Sequence, residues 1–286
     1  MSPDFTLLGD LIVIFVVGLY GITSGLRDYQ FLQKVKNTPT SKAGSAAVGI
    51  VELAGEAEDV KPEQSPVSGV PCTYWRILGE YYQSGWRKGW RQIYSAQSRT
   101  EFYVQDDTGK IPVKPAGADV EISPDQIFEG YIAERGTLLK EPATMDERAM
   151  RYIRSLEKKE QDRYMAHKYE KIRITESYIV KNEPLYVLGS AVPVENTTGP
   201  VASETLEVMK GKTDKTLYFS DTTEQKVIEK HSSWLNLRIF GGLAVSSFSL
   251  FCILVVLELV QDAVFALGFT LGILGICYLL NKLGIW

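Results

Sequence analysis

The chain has 286 residues and a formal net charge of −4. It therefore lacks the basic surplus that holds a phosphate backbone, and no nucleic-acid partner is expected. Apolar residues make up 45% of the chain, which excludes wholesale disorder. Three cysteines (Cys72, Cys252, Cys277) and two histidines (His167, His231) are too few for a two-zinc RING or a disulfide framework, and they supply a His-centred triad poorly.

The mean hydropathy of −0.07 averages unlike pieces. Residues 7–26 read LLGDLIVIFVVGLYGITSGL, with Asp10 as the only charge. About twenty helical residues, each rising about 1.5 Å, cross a hydrocarbon core of about 30 Å. The segment has no Lys or Arg before it, so it reads as a retained transmembrane helix rather than a cleaved signal. Residues 27–42 form a basic linker: Arg27, Lys34, Lys36 and Lys42 stand against Asp28 alone. Asn37-Thr38-Pro39-Thr40-Ser41 marks its end as an extended connection.

Residues 43–222 are soluble in character. Strand-like runs at Ala47–Ala54, Cys72–Tyr82, Trp90–Ser95, Glu101–Gln105 and Lys110–Lys114 are rich in Val, Ile, Tyr, Phe and Trp. Asp106-Asp107-Thr108-Gly109 between the last two is a hairpin turn signal. Within 141–168, Met150, Ile153 and Leu156 recur at helical spacing among charges, predicting a helical insertion over about 143–168. Strands resume at Lys171–Val180, Leu185–Val192, Leu206–Met209 and Thr216–Phe219. Asp221 and Glu224 have capping-box spacing, which predicts a juxtamembrane helix over 223–238.

Two apolar runs close the chain, 239–260 and 263–280, parted by Gln261-Asp262. One long helix would hold those polar groups in mid-bilayer at a cost of several kcal/mol. Two antiparallel spans with an outer turn avoid it. Gly21 and Gly25, and again Gly268 and Gly272, put small residues at four-residue spacing. Such faces serve packing among the spans or a homo-oligomer interface. Lys and Arg cluster after the first span and before the second, and Glu258 and Asp262 lie at the hairpin turn. The expected topology is a multi-pass cell-membrane protein with the N-terminus outside and the soluble domain and C-terminus cytoplasmic. The expected fold is an α+β membrane protein. Its soluble domain is mainly antiparallel β, with a small barrel among the arrangements allowed, and a helical insertion. One N-terminal transmembrane helix and a C-terminal transmembrane hairpin flank it.

Several segments resemble, in order, the GIDE or beside-a-membrane domain of membrane-anchored mitochondrial RING ubiquitin ligases and their RING-less prokaryotic relatives. They are Asn37–Lys42, Gly49–Gly55, Ser65–Cys72 and Tyr74-Trp75-Arg76. Phe102–Gly109 follows with Asp106, Asp107 and Gly109, then Val113–Ala118, Thr175-Glu176 and Tyr186–Gly189. The resemblance implies a membrane-linked domain. It marks Trp75, Arg76, Asp106, Asp107, Gly109, Glu176 and Gly189 as family-signature positions. In the eukaryotic relatives ligase chemistry sits in a C-terminal RING, whereas Cys252 and Cys277 here fall in apolar runs, so that catalysis does not carry over.

No residue set earns a catalytic, cofactor or metal role. Asp106-Asp107 reads as a turn rather than a cation site. Gly211-Lys212-Thr213 has Leu206 where a P-loop needs glycine. Cys72, on a strand among bulky neighbours, reads as a buried structural thiol. Neither His167 nor His231 has a ligand partner at zinc spacing. Glu176 is expected to pair with an arginine such as Arg76. Asn196-Thr197-Thr198 is a glycosylation sequon. The most unusual stretch is Trp86-Arg87-Lys88-Gly89-Trp90-Arg91. It reads as a hairpin tip with packed indoles, as a contact for membrane or protein, or as an OB-like surface for single strands. The expected partners are membrane lipids and a protein of unknown identity. The expected role is an interaction module, and the alternative is a ubiquitin-ligase-like component whose catalysis a partner supplies.

Overall fold

The computed structural model describes residues 5–134, 142–194 and 205–257, together with 268, 271, 272 and 275. The chain divides into two compact units, Met1–Asn37 with Glu224–Trp286, and Thr38–Thr223.

The first unit is helical. α1 runs from Phe5 to Asn37, α4 from Glu224 to Ser233 and α5 from Leu235 to Val256. α1 and α5 are both long and apolar enough to cross a membrane. They pack antiparallel through small residues: Gly18 faces Gly242 and Ser246, Gly21 faces Gly242, and Gly25 faces Ile239. A Cβ on Gly18 would lie 2.7 Å from the Ser246 nitrogen, and one on Gly242 would lie 2.7 Å from the Gly18 oxygen. Side chains are thus excluded where the backbones touch. Ser249 Oγ donates across the pair to the Leu11 carbonyl at 2.5 Å, and Arg238 bonds Asp28 at the other end.

The basic stretch expected to be extended differs: α1 continues through it to Asn37. Nothing between Arg27 and Asn37 is a proline or glycine, so the helix has no reason to stop. The Gly21–Gly25 face is occupied by α5 of the same chain. The span expected over 263–280, the turn at Gln261-Asp262 and Cys277 lie outside the described residues, apart from four isolated positions.

The second unit is mixed α and β, with the strands antiparallel for the most part. β2 (Gly49–Asp59), β7 (Phe102–Asp106), β8 (Gly109–Val113), β13 (Leu206–Met209) and β12 (Pro184–Pro193) pair in that order. A long antiparallel pairing of β12 with β2 closes the ring. The result is a five-stranded barrel whose one parallel seam joins β8 to β13 at Val113 and Val208. Numbered along the chain the ring runs 1-2-3-5-4-1, the plan of small OB-type barrels. Closure leaves these strands no free edge. Leu53, Phe102, Ile111, Val187 and Val208 fill the interior. Short strands extend the sheet: β1 (Thr40–Ser41) beside β2, and β14 (Tyr218–Ser220) and β9 (Asp119–Glu121) beside β12.

A second sheet is built from β10 (Gln126–Gly130), β11 (Ile172–Ile179), β5 (Tyr74–Gln83) and β6 (Gly89–Gln97) in that order, all antiparallel. One face buries Ile77, Ile172 and Ile174 under α2 (Glu147–Ser155) and α3 (Lys158–Ala166), through Ala149, Tyr152, Ile153 and Tyr164. Gly79 makes this possible, since a Cβ there would lie 1.9 Å from the Tyr164 hydroxyl. Tyr74 and Ile179 point the other way, into the barrel core, where Tyr74 meets Phe219 edge-on at 4.9 Å. Such a pair contributes about 0.5–1.5 kcal/mol beyond burial.

The helical insertion is two helices rather than one. Gln161 donates its side-chain amide to the Arg154 and Leu156 carbonyls at 2.6 and 3.1 Å, capping α2 from the next helix. Asp146 caps the start of α2 through the Arg148 amide at 2.8 Å. Asp221 does not cap α4. It accepts from the Ser123 amide at 2.7 Å, which fixes the chain after β14 to the segment after β9.

Candidate functional site

The least exposed polar arrangement centres on Glu176, in β11, which is fully buried. It does not pair with Arg76. Across the β11–β5 ladder Glu176 lies opposite Ile77, and Ser177 lies opposite Arg76. Side chains alternate along a strand, so the two charges leave opposite faces of the sheet. Arg76 instead donates to the Val120 carbonyl at 2.7 Å.

Glu176 faces the hairpin loop between β3 (Glu63–Gln64) and β4 (Pro71–Cys72). The Val67 amide donates to Oε1 at 2.8 Å, and the Ser68 amide donates to Oε2 at 3.0 Å. The loop is pre-shaped for this. Ser65 Oγ accepts from the Val70 amide at 3.0 Å and lies 2.7 Å from Ser68 Oγ. Gly69 has φ +72°, a conformation that glycine adopts without penalty. The two amides thus give both carboxyl oxygens of this buried side chain a donor. Beside the loop lies a cavity of about 460 Å³, walled by Pro66, Arg148, Arg151 and Tyr152.

A second polar junction joins Lys42–Gly44 to the β7–β8 turn. Asp106 Oδ1 accepts from the Thr108 amide at 2.7 Å, and Oδ2 accepts from the Ala43 amide at 2.8 Å. Lys42 Nζ reaches Asp107 at 2.5 Å. Partial desolvation pushes the Asp106 carboxyl upward, but the Thr108 and Ala43 donors outweigh it and hold it below the usual carboxylate range. Gly109 closes the turn at φ +154°. Gly44 was missed by the sequence reading, yet a Cβ there would lie 2.5 Å from the Thr108 oxygen. Asp106 and Asp107 therefore bind chain, as a turn should.

Cys72 is buried, and its thiol is pushed up to about 12 by burial first and then by Glu63, Glu176 and Asp59. It is not a thiolate at neutral pH. Trp75 packs on the apolar cluster under α2 and α3. Gly189 leaves room for Val208 and Leu217, which a Cβ would meet at 2.7 and 2.8 Å. His167 stacks on Tyr81 at 3.7 Å and bonds Glu170, while His231 packs on Phe31. Among the described residues no three His, Cys, Asp or Glu side chains are grouped to hold a metal. Gly211-Lys212-Thr213 follows a strand on the rim of an open cleft of about 800 Å³ and precedes no helix, so the P-loop context is missing. The Asn196–Thr198 sequon lies outside the described residues.

The stretch 86–91 is split by the fold. Trp86, Arg87 and Lys88 form the tip of the β5–β6 hairpin, and Trp86 is fully exposed. Trp90 and Arg91 lie on β6. The Trp90 ring meets Tyr82 edge-on at 5.4 Å and carries the Arg173 guanidinium at 4.0 Å from its centroid. Trp90 is thus tied into the sheet. None of the five residues lies on the barrel, which separates them from any OB-type strand-binding face.

The GIDE family, described as an E3 ubiquitin ligase, matches residues 78–256, from within β5 to the end of α5. The chain belongs to the GIDE family. No curated protein and no solved structure matches it. The GIDE match takes in the four-stranded sheet from Leu78, most of the barrel and the apolar helix α5. Of the signature positions within it, Asp106 and Glu176 hold backbone amides, Asp107 pairs with Lys42, Gly109 turns the chain, and Gly189 makes room for the Val208 and Leu217 side chains.

Proposed function

We propose that this GIDE protein is held in a bilayer by α1 and α5 and presents its β-rich unit as an interaction module. One observation carries the reading. α1 and α5 turn glycine and serine toward each other and leave bulky apolar side chains outside, with Val13, Val17 and Phe248 each at least 60% exposed. A water-soluble pair would be patterned the other way, and a continuous oily exterior suits lipid. The cations after residue 26 and before residue 239 favour the cytoplasmic side for the β-rich unit. Pull-down with the full chain in mild detergent tests the module, because a true one retains a specific protein or lipid above background. Alkaline extraction of membranes tests the anchor, and release into the supernatant would sink it. In sealed vesicles, protease access to the Lys- and Arg-rich α2–α3 segment reads sidedness.

The family description favours a second reading, an adaptor in ubiquitin-type transfer whose catalytic part comes from another chain. Reconstitution with conjugating enzymes separates the two. Transfer that requires a second protein supports the adaptor, and transfer by this chain alone with Cys72→Ala would overturn it.

A further inference from the structure

Two loops far apart in the chain meet at one end of the four-stranded sheet. The first is the β5–β6 hairpin tip. Its neck is fixed by the pairs Tyr82–Trp90 and Gln83–Gly89, and by Arg91 Nε donating to the Gln83 side chain at 3.1 Å. Beyond the neck Trp86 is 102% exposed, next to Arg87 and Lys88. The second is the turn from α3 into β11. It is bolted to the same neck: the Tyr82 amide donates to the Lys171 carbonyl at 2.7 Å, and His167 stacks on Tyr81. This turn exposes Tyr169 by 57%, with the Lys168 ammonium 4.9 Å from the Tyr169 centroid, and Met165 near the end of α3 is 37% exposed.

Charge at this end is lopsided. Glu80 and Glu129 are taken by Arg173 and Lys171, while Glu170 lies 2.6 Å from His167 Nδ1. Arg87, Lys88, Arg91 and Lys168 have no carboxylate within ion-pair distance among the described residues. Two separate loops thus place protruding amphipathic aromatics among unneutralised cations on one surface. Aromatics of this kind sit at headgroup depth, and such cations are drawn to anionic lipid.

We propose that this end of the sheet docks on the anionic face of a bilayer, with Trp86 entering the headgroup layer. The shape favours lipid over protein. A convex tip carrying a bare indole enters a fluid interface directly, whereas a protein partner would need a matching pocket. The inference rests on the membrane reading of α1 and α5, which supplies the tether and so a high local concentration of bilayer.

The test uses the full chain in vesicles of phosphatidylcholine alone, or with a quarter phosphatidylserine. The difference in emission between wild type and Trp86→Phe isolates the Trp86 signal. In anionic vesicles that signal should shift to the blue, be quenched by lipids brominated on the acyl chain, and resist acrylamide. In neutral vesicles it should largely lose this protection. Replacing both Arg87 and Lys88 by Gln should lower the docked-to-free ratio by on the order of thirtyfold. A Trp86 signal that acrylamide reaches equally in both vesicles, without bromolipid quenching, overturns the proposal and returns the surface to a protein partner. Alkaline extraction of the same vesicles separates the two claims. A chain that stays in the pellet with Trp86 unquenched refutes docking alone, whereas a chain that washes off refutes both.

Discussion

The α1–α5 pair and the barrel bury opposite kinds of residue. Between the helices lie Gly18, Gly21, Gly25, Gly242 and Ser246, while Val13, Val17 and Phe248 point out. Inside the barrel lie Leu53, Phe102, Ile111 and Val208, with polar residues such as Glu58 and Lys110 outside, joined at 3.1 Å. The contrast is the one expected if lipid solvates the helix pair, as proposed, and water solvates the barrel. In lipid a leucine gains little by leaving one oily neighbour for another, so close backbone approach and interhelical hydrogen bonds decide packing. In water, area removed from solvent decides it, at roughly 25 cal/mol per Å².

The strongest break in this contrast is Phe102→Ala. It opens a cavity beside Tyr74 and Phe219 and should destabilise the β-rich unit by about 3–5 kcal/mol, read from its urea unfolding in detergent. Val17→Ala on the outer face of α1 should leave that transition unchanged, within about 0.5 kcal/mol. Next comes Gly18→Leu, which overpacks the helix pair and should cost about 1–3 kcal/mol. A cysteine crosslink between positions 11 and 249 would then form more slowly, with the barrel transition unmoved. Glu176→Gln keeps the shape but turns an amide donor toward the Val67 and Ser68 amides. It should cost about 1–3 kcal/mol and loosen the loop 65–70, read as faster hydrogen exchange there.

The smallest effect is in pH. The folded Cys72 thiol is raised to about 12 from an ordinary value of 9.0. Below pH 9 both states are protonated and its stabilisation is fully present. Between pH 9 and about 12 the unfolded thiol ionises while the buried one does not, so stability falls as pH rises. Cys72→Ala should flatten that part of the unfolding profile, and native Cys72 should resist alkylation at pH 8. Asp106 works in the opposite direction. Its folded carboxyl lies low, so the stability it lends is present above the ordinary carboxylate range and is lost as pH falls through the folded value. Asp106→Asn should remove that acid-side loss. The site is largely exposed, so the effect is small.

The sequence was read well where each residue's partner lay nearby. Phe102–Asp106, Gly109–Val113 and the turn between them stand where alternation and turn chemistry put them. α1 was read from its apolar run, although it continues past the expected end to Asn37. Reading failed where the partner lay far along the chain. Charge alone pairs Glu176 with Arg76, but its donors are the amides of Val67 and Ser68, more than a hundred positions away. Asp221 had the spacing of a helix cap and went to Ser123 instead. Gln126–Gly130, with Gln, Glu and Gly among its five residues, carries few of the β-branched and aromatic residues that mark a strand.

What the sequence determined by itself is solvent preference and local geometry: which helices are oily, where strands alternate, where glycine lets the chain turn. Those follow from each residue and its near neighbours. Tertiary structure alone decided that β12 closes the barrel on β2, that Glu176 and Arg76 leave opposite faces of one sheet, and that Trp86 and Tyr169 share one end of it. Each of these depends on strand register and long-range pairing. A shift of one residue would turn every such side chain to the other face.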